Sequence, residues 1–201
     1  TKMQKIIIDN FLSVTKAEIF IPKVLVLIGE QSSGKSTVAK LIYFFKSLSQ
    51  NLFTYIYQSE TSFDFEKDIL HQIKFKFYEL FGTETDLQKF NIKYYYDIEN
   101  EKYLQLFINE TNELIIKFSN NMFTEDIIKE IYELKEMLSV PFNNFEDELN
   151  GVVHDNQKKI TYEKLFKLLE ATFNNSNNPL FIPAGRAMTE TYSNLFANVS
   201  D

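Results

Sequence analysis

The chain has 201 residues and a formal net charge of −7, and 44% of its residues are hydrophobic. This length and apolar content predict one folded domain with room for an inserted subdomain, and they exclude extended disorder. The lack of Cys excludes disulfides, thiolate zinc sites and cysteine nucleophiles, and 2 His are too few for a multi-histidine metal centre. We expect a cytoplasmic protein, since no apolar run approaches the roughly 18–20 residues of a membrane span and no signal peptide pattern is present.

The basic residues indicate which enzyme classes fit poorly. Among the 21 Lys and Arg residues, Arg186 is the single arginine. Enzymes that hold a second phosphorylated substrate commonly use several arginines, because the planar guanidinium binds two phosphate oxygens at once. This composition therefore disfavours a small-molecule or nucleotide kinase. The acidic net charge gives no overall electrostatic argument for nucleic acid binding, although it is compatible with a local basic groove.

The N-terminal part of the chain predicts three strands and a helix. Lys5–Phe11 and Lys16–Ile21 are short β-type segments joined at Leu12–Thr15. Val24–Ile28 (VLVLI) is continuously apolar, which is typical of a strand buried on both faces in a parallel or mixed sheet. Lys35–Ser47 has apolar residues at helical spacing and predicts an amphipathic helix.

The rest of the chain predicts helices around a β-meander, and residues 62–178 are interpreted as an inserted β-meander and helical subdomain. Apolar periodicity, turn residues and capping residues define these segments. The predicted elements are a helix over Phe65–Phe81 ended by Gly82, strands at Ile92–Ile98, Tyr103–Asn109 and Glu113–Phe118, a helix over Thr124–Leu138, a loop over Pro141–Gln157, a helix over Thr161–Phe173 capped by Thr161, a strand at Leu180–Ala184 and a helix over Thr189–Val199.

One segment carries recognisable chemistry: GEQSSGKS at residues 29–36 matches the P-loop pattern G-x-x-x-x-G-K-[ST] at every fixed position. Its glycines allow consecutive N–H groups to converge on a phosphate, and the following helix directs its positive dipole end at the same anion. We expect Lys35 to bind the β- and γ-phosphates of ATP, Ser36 to hold Mg²⁺ and Thr37 to contact the α-phosphate. The predicted nucleotide-binding residues are Gly29, Glu30, Gln31, Ser32, Ser33, Gly34, Lys35, Ser36 and Thr37.

A catalytic acid is harder to find. ATP hydrolysis in P-loop proteins needs an acidic residue at the end of a second buried strand. Asp9 follows Ile6–Ile8 but belongs to the N-terminal hairpin, and Asp97 follows Tyr94–Tyr96 within the meander. We interpret both as ordinary strand-end aspartates and the tyrosines as core residues. The chain therefore either binds ATP without hydrolysing it or forms one part of a larger ATPase.

The arrangement of two strands directly before VLVLIGEQSSGKSTVAKLI resembles the N-terminal portion of ABC-type ATPases of the SMC/RecF/OLD-like AAA group. The segment Phe181–Arg186 (FIPAGR) is similar to the IPA-x-R strand end of stand-alone AAA ATPases in this group, some of which act in phage defence. The resemblance is close over Lys5–Ser47, suggestive over Leu180–Met188, and absent from most of the middle of the chain.

This resemblance implies an α/β P-loop NTPase fold with a mixed sheet, an N-terminal antiparallel β-hairpin, a β-meander and an inserted helical region. It implies ATP bound between two heads that dimerise through the nucleotide face, a nucleic acid or effector protein as partner, and a role in DNA repair or anti-phage defence. It places Arg186 near the nucleotide, where the side chain senses the γ-phosphate or Mg²⁺; a surface salt bridge or a helix-cap contact is the alternative. The signature loop and acidic strand of the family lie C-terminal to the position of Arg186, so we expect the N-terminal part of a longer ATPase.

Three other functions stay open from the sequence. One is the small-molecule or nucleotide kinase that the single arginine disfavours. Another is a GTPase, which needs an N-K-x-D motif that neither Asn91–Lys93 nor Asn156–Lys158 supplies. The third is a non-catalytic interaction module in which the P-loop holds an anion for structural reasons.

Overall fold

The computed structural model describes residues 2–59, 63–83, 87–139 and 148–175. Five strands and four helices occupy these segments, and none of these helices has the length and apolarity of a membrane span. In chain order the elements are β1 (Gln4–Phe11), β2 (Val14–Ile21), α1 (Lys35–Gln58), α2 (Phe65–Phe81), β3 (Asn91–Asp97), β4 (Lys102–Ile108), β5 (Leu114–Phe118), α3 (Glu125–Ser139) and α4 (Glu148–Thr172).

The predicted hairpin and meander are both confirmed, and they join in one sheet with the strand order β2-β1-β3-β4-β5. β1 pairs with β2 from Gln4 opposite Ile21 to Phe11 opposite Val14, so the hairpin turns tightly at Leu12, where φ is 49°. All four pairings are antiparallel. The parallel pairs of the predicted mixed sheet are therefore not among these five strands.

Aromatic side chains fix helix α1 on one face of the sheet. The Phe45 ring stacks on Tyr94 with 4.8 Å between ring centroids and 14° between planes, and the Tyr96 hydroxyl donates to the Phe45 carbonyl at 2.9 Å. Phe44 contacts Phe77 of α2 with centroids 5.6 Å apart. Burial raises the pKa of Tyr94 and of Tyr96 well above the ordinary value for tyrosine. Tyr94 and Tyr96 are thus core residues, as their sequence spacing indicated.

Helix α2 follows the sequence prediction, whereas α1 extends beyond the predicted end at Ser47 to Gln58 and α4 begins earlier than predicted. Helix α2 has the predicted bounds: the Asp64 carboxylate accepts from the Lys67 amide at its start, and Gly82, with φ 90°, ends it. Helix α4 begins at Glu148, so the second half of the predicted loop over Pro141–Gln157 is wrong. Thr161 lies inside this helix, where its Oγ1 donates to the Gln157 carbonyl, and it is not the predicted cap. Helix α4 packs against α1 and α3, and its buried described side chains lie from Thr161 onward.

The prediction of a strand buried on both faces at Val24–Ile28 is wrong for the described structure. Val24, Val26 and Ile28 are 78%, 72% and 90% exposed, whereas Leu25 and Leu27 pack against the core. No strand pairing in the described part of the chain includes this segment. A continuous apolar run shows that a segment can be buried, but the neighbours that would bury it are set by tertiary contacts.

Hydrogen bonds join the C-terminal end of helix α4 to the first residue of strand β1 and to strand β3. The Gln4 side-chain amide donates to the Asn174 carbonyl at 2.8 Å, and the Asn174 side chain donates to the Tyr96 carbonyl at 2.6 Å. The Asn175 side chain donates to the Lys46 carbonyl of α1. These bonds place residue 175 beside the first residue of β1. The predicted strand Leu180–Ala184 and helix Thr189–Val199 lie outside the described residues.

A buried lysine forms hydrogen bonds at the C-terminal end of helix α1. The Lys135 ammonium of α3 donates to the Ile56 carbonyl at 3.0 Å, the Ser59 carbonyl at 2.7 Å and the Ser59 hydroxyl at 2.6 Å. Ser59 is the C-cap of α1, so a positive charge lies at the negative end of the helix dipole. Burial lowers the pKa of Lys135, and the nearby Asp68 carboxylate opposes this shift in part.

We expect Lys135→Met to lower the free energy of unfolding by about 1–3 kcal/mol, the range for losing hydrogen bonds from a charged donor. Urea denaturation measures this change. Lys129→Met, on the exposed side of the same helix, is the control and should change stability by less than about 0.5 kcal/mol. Equal effects of the two substitutions would contradict the role of Lys135.

The same pair of proteins gives a pH test. The unfolded chain binds more protons than the folded chain between the lowered pKa of Lys135 and its ordinary value of 10.5. The free energy of unfolding of the unaltered chain should therefore rise, relative to Lys135→Met, as the pH increases through that interval. If the difference in the free energy of unfolding between the unaltered chain and Lys135→Met stays constant or falls across this alkaline range, Lys135 is not desolvated in the folded state.

Candidate nucleotide-binding site

The predicted phosphate-binding loop connects Val24–Ile28 to helix α1, and its backbone requires a glycine at Gly34. This residue is the N-cap of α1 and has φ 81°, in the left-handed region. Ser32 also has a positive φ of 64°. A left-handed conformation is costly for a residue with a β-carbon. The loop therefore contains two residues, Ser32 and Gly34, in a conformation that the residues before a helix seldom adopt. Such turns bring successive N–H groups to one side, as anion-binding loops require.

The loop lies directly against the N-terminal hairpin. A β-carbon added at Gly34 would be 2.7 Å from Cγ2 of Val14 and 3.3 Å from Oγ of Ser13. The Ser13 and Thr37 hydroxyls are 3.4 Å apart. The hairpin turn therefore fixes where helix α1 begins. Ser13 and Val14 were not predicted as part of the site, and the only sequence signal for them is their position at the turn between two short strands.

The start of helix α1 is suited to an anion. Gly34 has no side chain to cap the first-turn amides, and the first turn contains no acidic residue. The first N–H groups of a helix lack partners within it, and they coincide with the positive end of the dipole. The amides that follow Gly34, at Lys35, Ser36 and Thr37, are therefore available for phosphate oxygens.

The Lys35 side chain folds back over the loop. Its ammonium donates to the Ser33 hydroxyl at 2.8 Å and to the Glu30 carbonyl, and it lies 3.7 Å from the position of a β-carbon at Gly29. These partners are neutral oxygens. A phosphate oxygen is a stronger acceptor for an ammonium group, so a bound nucleotide would exchange weaker hydrogen bonds for charge-assisted ones. The geometry thus places the one cation of the motif directly on the predicted phosphate-binding loop.

The fit of Mg²⁺ rests on Ser36. Its hydroxyl is at the exposed start of α1, where the pattern places a metal-ligating hydroxyl. Mg²⁺ bound with nucleotides usually takes few protein ligands and completes its octahedron with phosphate oxygens and waters. Within the described segments, no cluster of three or more His, Asp or Glu side chains is placed to hold a metal ion. The residues present therefore fit a nucleotide-dependent Mg²⁺ site and not a metal site built from carboxylates.

Neither candidate aspartate has the setting of a catalytic acid. Asp97 is buried, 2.6 Å from the Lys2 ammonium, and accepts hydrogen bonds from Asn100. Burial alone raises the pKa of Asp97, but the hydrogen bonds from Asn100 and Lys2 outweigh it and lower the pKa.

The strand register also separates Asp97 from the loop. Tyr95, two residues before it, pairs with Lys5 at the start of β1, while the loop contacts Val14, which pairs with Phe11 at the end of β1. Six residues of strand correspond to about 20 Å.

Asp9 is opposite Lys16 and Asn91 within the sheet. The interpretation of both aspartates as strand residues therefore agrees with their positions. Arg186 lies outside the described residues.

Comparison with known families adds to this geometry. The family model of the AAA ATPase domain matches residues 2–198. No significant match to a curated protein or to a solved structure was found. The family match covers the hairpin, the phosphate-binding loop, the meander and the helices together. The chain therefore belongs to the AAA ATPase domain family.

Proposed function

We propose that this chain binds Mg-ATP at residues 29–37 and hydrolyses it as the head of an ABC-type ATPase. The proposal rests on one observation: the Lys35 ammonium lies on the same loop as the uncapped N-terminus of helix α1. The family supports nucleotide binding and hydrolysis in general. ATP is the nucleotide proposed because the chain lacks the guanine-selecting N-K-x-D motif.

The residues of the loop would act by binding and orientation. Lys35 would neutralise charge on the β- and γ-phosphates, and the first-turn amides of α1 would hold the same groups in place. Mg²⁺, bound through Ser36 and phosphate oxygens, would supply further charge neutralisation. Since no catalytic acid lies at the loop among the described residues, we infer that hydrolysis needs groups from elsewhere.

We infer two sources for the missing groups, both drawn from the resemblance. One is Arg186, which would sense the γ-phosphate or Mg²⁺, and the other is a second copy of the head facing the nucleotide. Homodimerisation, membership of the SMC/RecF/OLD-like group, a cytoplasmic location and a task in DNA repair or anti-phage defence all stay predictions. Light scattering with and without Mg-ATP tests the dimer.

The sheet offers a surface for the nucleic acid partner of this proposal. Lys93 and Lys117 lie in one cross-strand row, and the Lys93 ammonium is 3.6 Å from the centroid of the Tyr103 ring. Phe20, at the edge strand beside Lys5, is 56% exposed. Proteins that bind single strands combine lysines for the phosphates with aromatic rings for the bases. This face therefore supports a single-stranded nucleic acid as the partner.

Substitution of Lys35 tests the nucleotide site. We expect Lys35→Ala to weaken ATP binding by about 10- to 100-fold, because charge-assisted hydrogen bonds contribute about 1.5–3 kcal/mol. Isothermal titration with ATP and Mg²⁺ measures the affinity. The control is Lys40→Ala, which removes an exposed lysine from the same helix and should leave the affinity unchanged. Unaltered affinity in the Lys35 variant would show that the loop does not bind the phosphates.

Substitution of Gly34 tests the seating of the loop. We expect Gly34→Ala to lower stability by about 1–3 kcal/mol and to abolish ATP binding, because the new methyl group meets Val14 and the left-handed backbone disfavours alanine. Adding Val14→Ala should restore part of the stability by removing the steric clash, as a double-mutant cycle in urea would show. Strictly additive effects of the two substitutions would contradict the close contact.

The nucleic acid surface has its own test. We expect the double substitution Lys93→Gln and Lys117→Gln to weaken binding of a single-stranded oligonucleotide and to reduce the slope of log affinity against log salt by about 1.4, or 0.7 for each lost contact. The control, Lys67→Gln with Lys129→Gln, removes the same charge from exposed helix positions. Equal losses in both variants, or no binding by the unaltered chain, would exclude this surface.

A further inference from the structure

We propose that the junction of helices α1, α3 and α4 binds a small aromatic phosphate, a ligand with one aromatic ring and one phosphate monoester group. The site is a cavity of about 190 Å³, lined by Tyr57 of α1, Leu138 of α3, and Lys158, Lys159 and Tyr162 of α4. This inference does not rest on the proposed function, because it concerns the end of helix α1 that lies opposite the phosphate-binding loop.

The cavity is separate from the candidate nucleotide-binding site. Tyr57 follows Lys35 by 22 residues of one continuous helix. At 1.5 Å per residue, this places the two residues about 33 Å apart. None of the described residues that line the cavity belongs to residues 29–37. Binding in the cavity would therefore be a second property of the chain.

The cavity is positively charged, in contrast to the chain as a whole. Lys158 and Lys159 contribute two ammonium groups, and none of the described residues that line the cavity is acidic, although the net charge of the chain is −7. Within the described part of the chain, neither lysine forms a salt bridge. Two lysines without carboxylate partners in a concave site attract an anion.

The two tyrosines add hydrogen-bond donors to the cavity. Tyr57 is 51% exposed and Tyr162 is 41% exposed, and neither hydroxyl has a hydrogen-bond partner among the described residues. Ammonium groups can only donate, and phenolic hydroxyls can donate as well as accept. A phosphate monoester offers three acceptor oxygens and close to two negative charges, whereas a carboxylate offers two oxygens and one charge. Four donor groups with two positive charges therefore match a phosphate.

The aromatic side chains of the cavity indicate the other part of the ligand. The rings of Tyr57 and Tyr162 meet edge to face, with centroids 5.3 Å apart and planes at 87°. Leu138 adds an apolar side chain to the lining. Half-exposed aromatic rings beside an apolar side chain favour another ring, which they contact by stacking or edge to face.

The volume of the cavity limits the size of that ring. A cavity of about 150 Å³ is known to bind benzene, whereas drug-sized ligands occupy about 300–1,000 Å³. The cavity of about 190 Å³ therefore accepts a single six-membered ring. Lys159 is exposed and Lys158 is half-buried, so the phosphate would lie toward the solvent. A pyrimidine nucleotide and a phosphotyrosine side chain are two sources of this chemistry.

Contacts around the cavity hold its walls together. The Lys135 ammonium donates to the carbonyls of Ile56 and Ser59, which lie on either side of Tyr57 in the chain. Leu138 follows Lys135 by nearly one turn of α3. A pocket whose walls are already packed loses less conformational freedom on binding than one that has to form.

Calorimetric titration tests the site in the variant Lys35→Ala, so that the phosphate-binding loop contributes little. The probes are uridine 5′-monophosphate and O-phosphotyrosine, each compared with its unphosphorylated counterpart, uridine or tyrosine. We expect at least one phosphate to bind, and its counterpart to bind at least about tenfold more weakly, because it lacks the charge-assisted hydrogen bonds. The phosphate that binds more tightly identifies the source.

Two results of this titration would overturn the proposal. One is that neither phosphate binds. The other is that inorganic phosphate binds as tightly as either probe, since the aromatic ring would then contribute nothing. A failure of ATP binding by the unaltered chain would contradict the proposed function and would leave the outcome of this titration unchanged.

Substitution of the two lysines locates the bound phosphate. In the same background, Lys158→Met with Lys159→Met should weaken binding of the tighter probe by about 10- to 100-fold. The control, Lys164→Met with Lys167→Met, removes the same charge from exposed positions of α4 that are not among the described lining residues. Equal losses in the two variants would overturn the proposal, because general electrostatic attraction would then account for binding.

Substitution of one tyrosine tests the contact with the ring. Tyr57→Leu should weaken binding of the tighter probe by about 2- to 10-fold, the range for one aromatic pair. Tyr43→Leu, at an exposed position of the same helix that is not among the described lining residues, should leave the affinity unchanged. Unaltered affinity in the Tyr57 variant would overturn the proposed aromatic contact.

Discussion

The close approach of Gly34 to Val14 is the contact on which the candidate site depends. A residue with a side chain at position 34 would push the start of helix α1 away from the hairpin, because its β-carbon would lie 2.7 Å from a methyl group. The hairpin is in turn held in the sheet by its pairing with β3. The position of the predicted phosphate-binding loop is therefore determined by its contact with the sheet and not by its local backbone conformation alone.

Helix α1 connects this loop to the core and is stabilised by complementary charge at its C-terminal end. Its N-terminus, free of acidic side chains in the first turn, attracts anions, and its C-terminal carbonyls bind the buried Lys135 ammonium. Between the ends, Phe45 stacks on Tyr94. An anion at the loop would thus meet the start of a helix that packs firmly against the sheet. Such preorganisation is what makes electrostatic stabilisation effective in an enzyme.

Phosphate binding and hydrolysis make different demands on this chain. The loop by itself supplies a cation, helix amides and a hydroxyl, which are the groups that the proposed binding of a nucleotide with Mg²⁺ requires. Hydrolysis needs a group that positions water, and the best buried carboxylate, Asp97, is held by Lys2 and Asn100 at the far end of the sheet. The family match indicates an ATPase domain, whereas no candidate catalytic carboxylate lies at the loop among the described residues.

Local patterns in the sequence determined the hairpin, the meander, helix α2 and the phosphate-binding loop. Alternating apolar residues, capping residues and glycines at required backbone angles act over a few residues, so the sequence carries them directly. Tertiary structure decided which side of Val24–Ile28 is covered and that Lys135 lies buried at the end of α1. It also brought Val14 against Gly34. Each of these depends on residues distant in the chain, whose contacts no local pattern encodes.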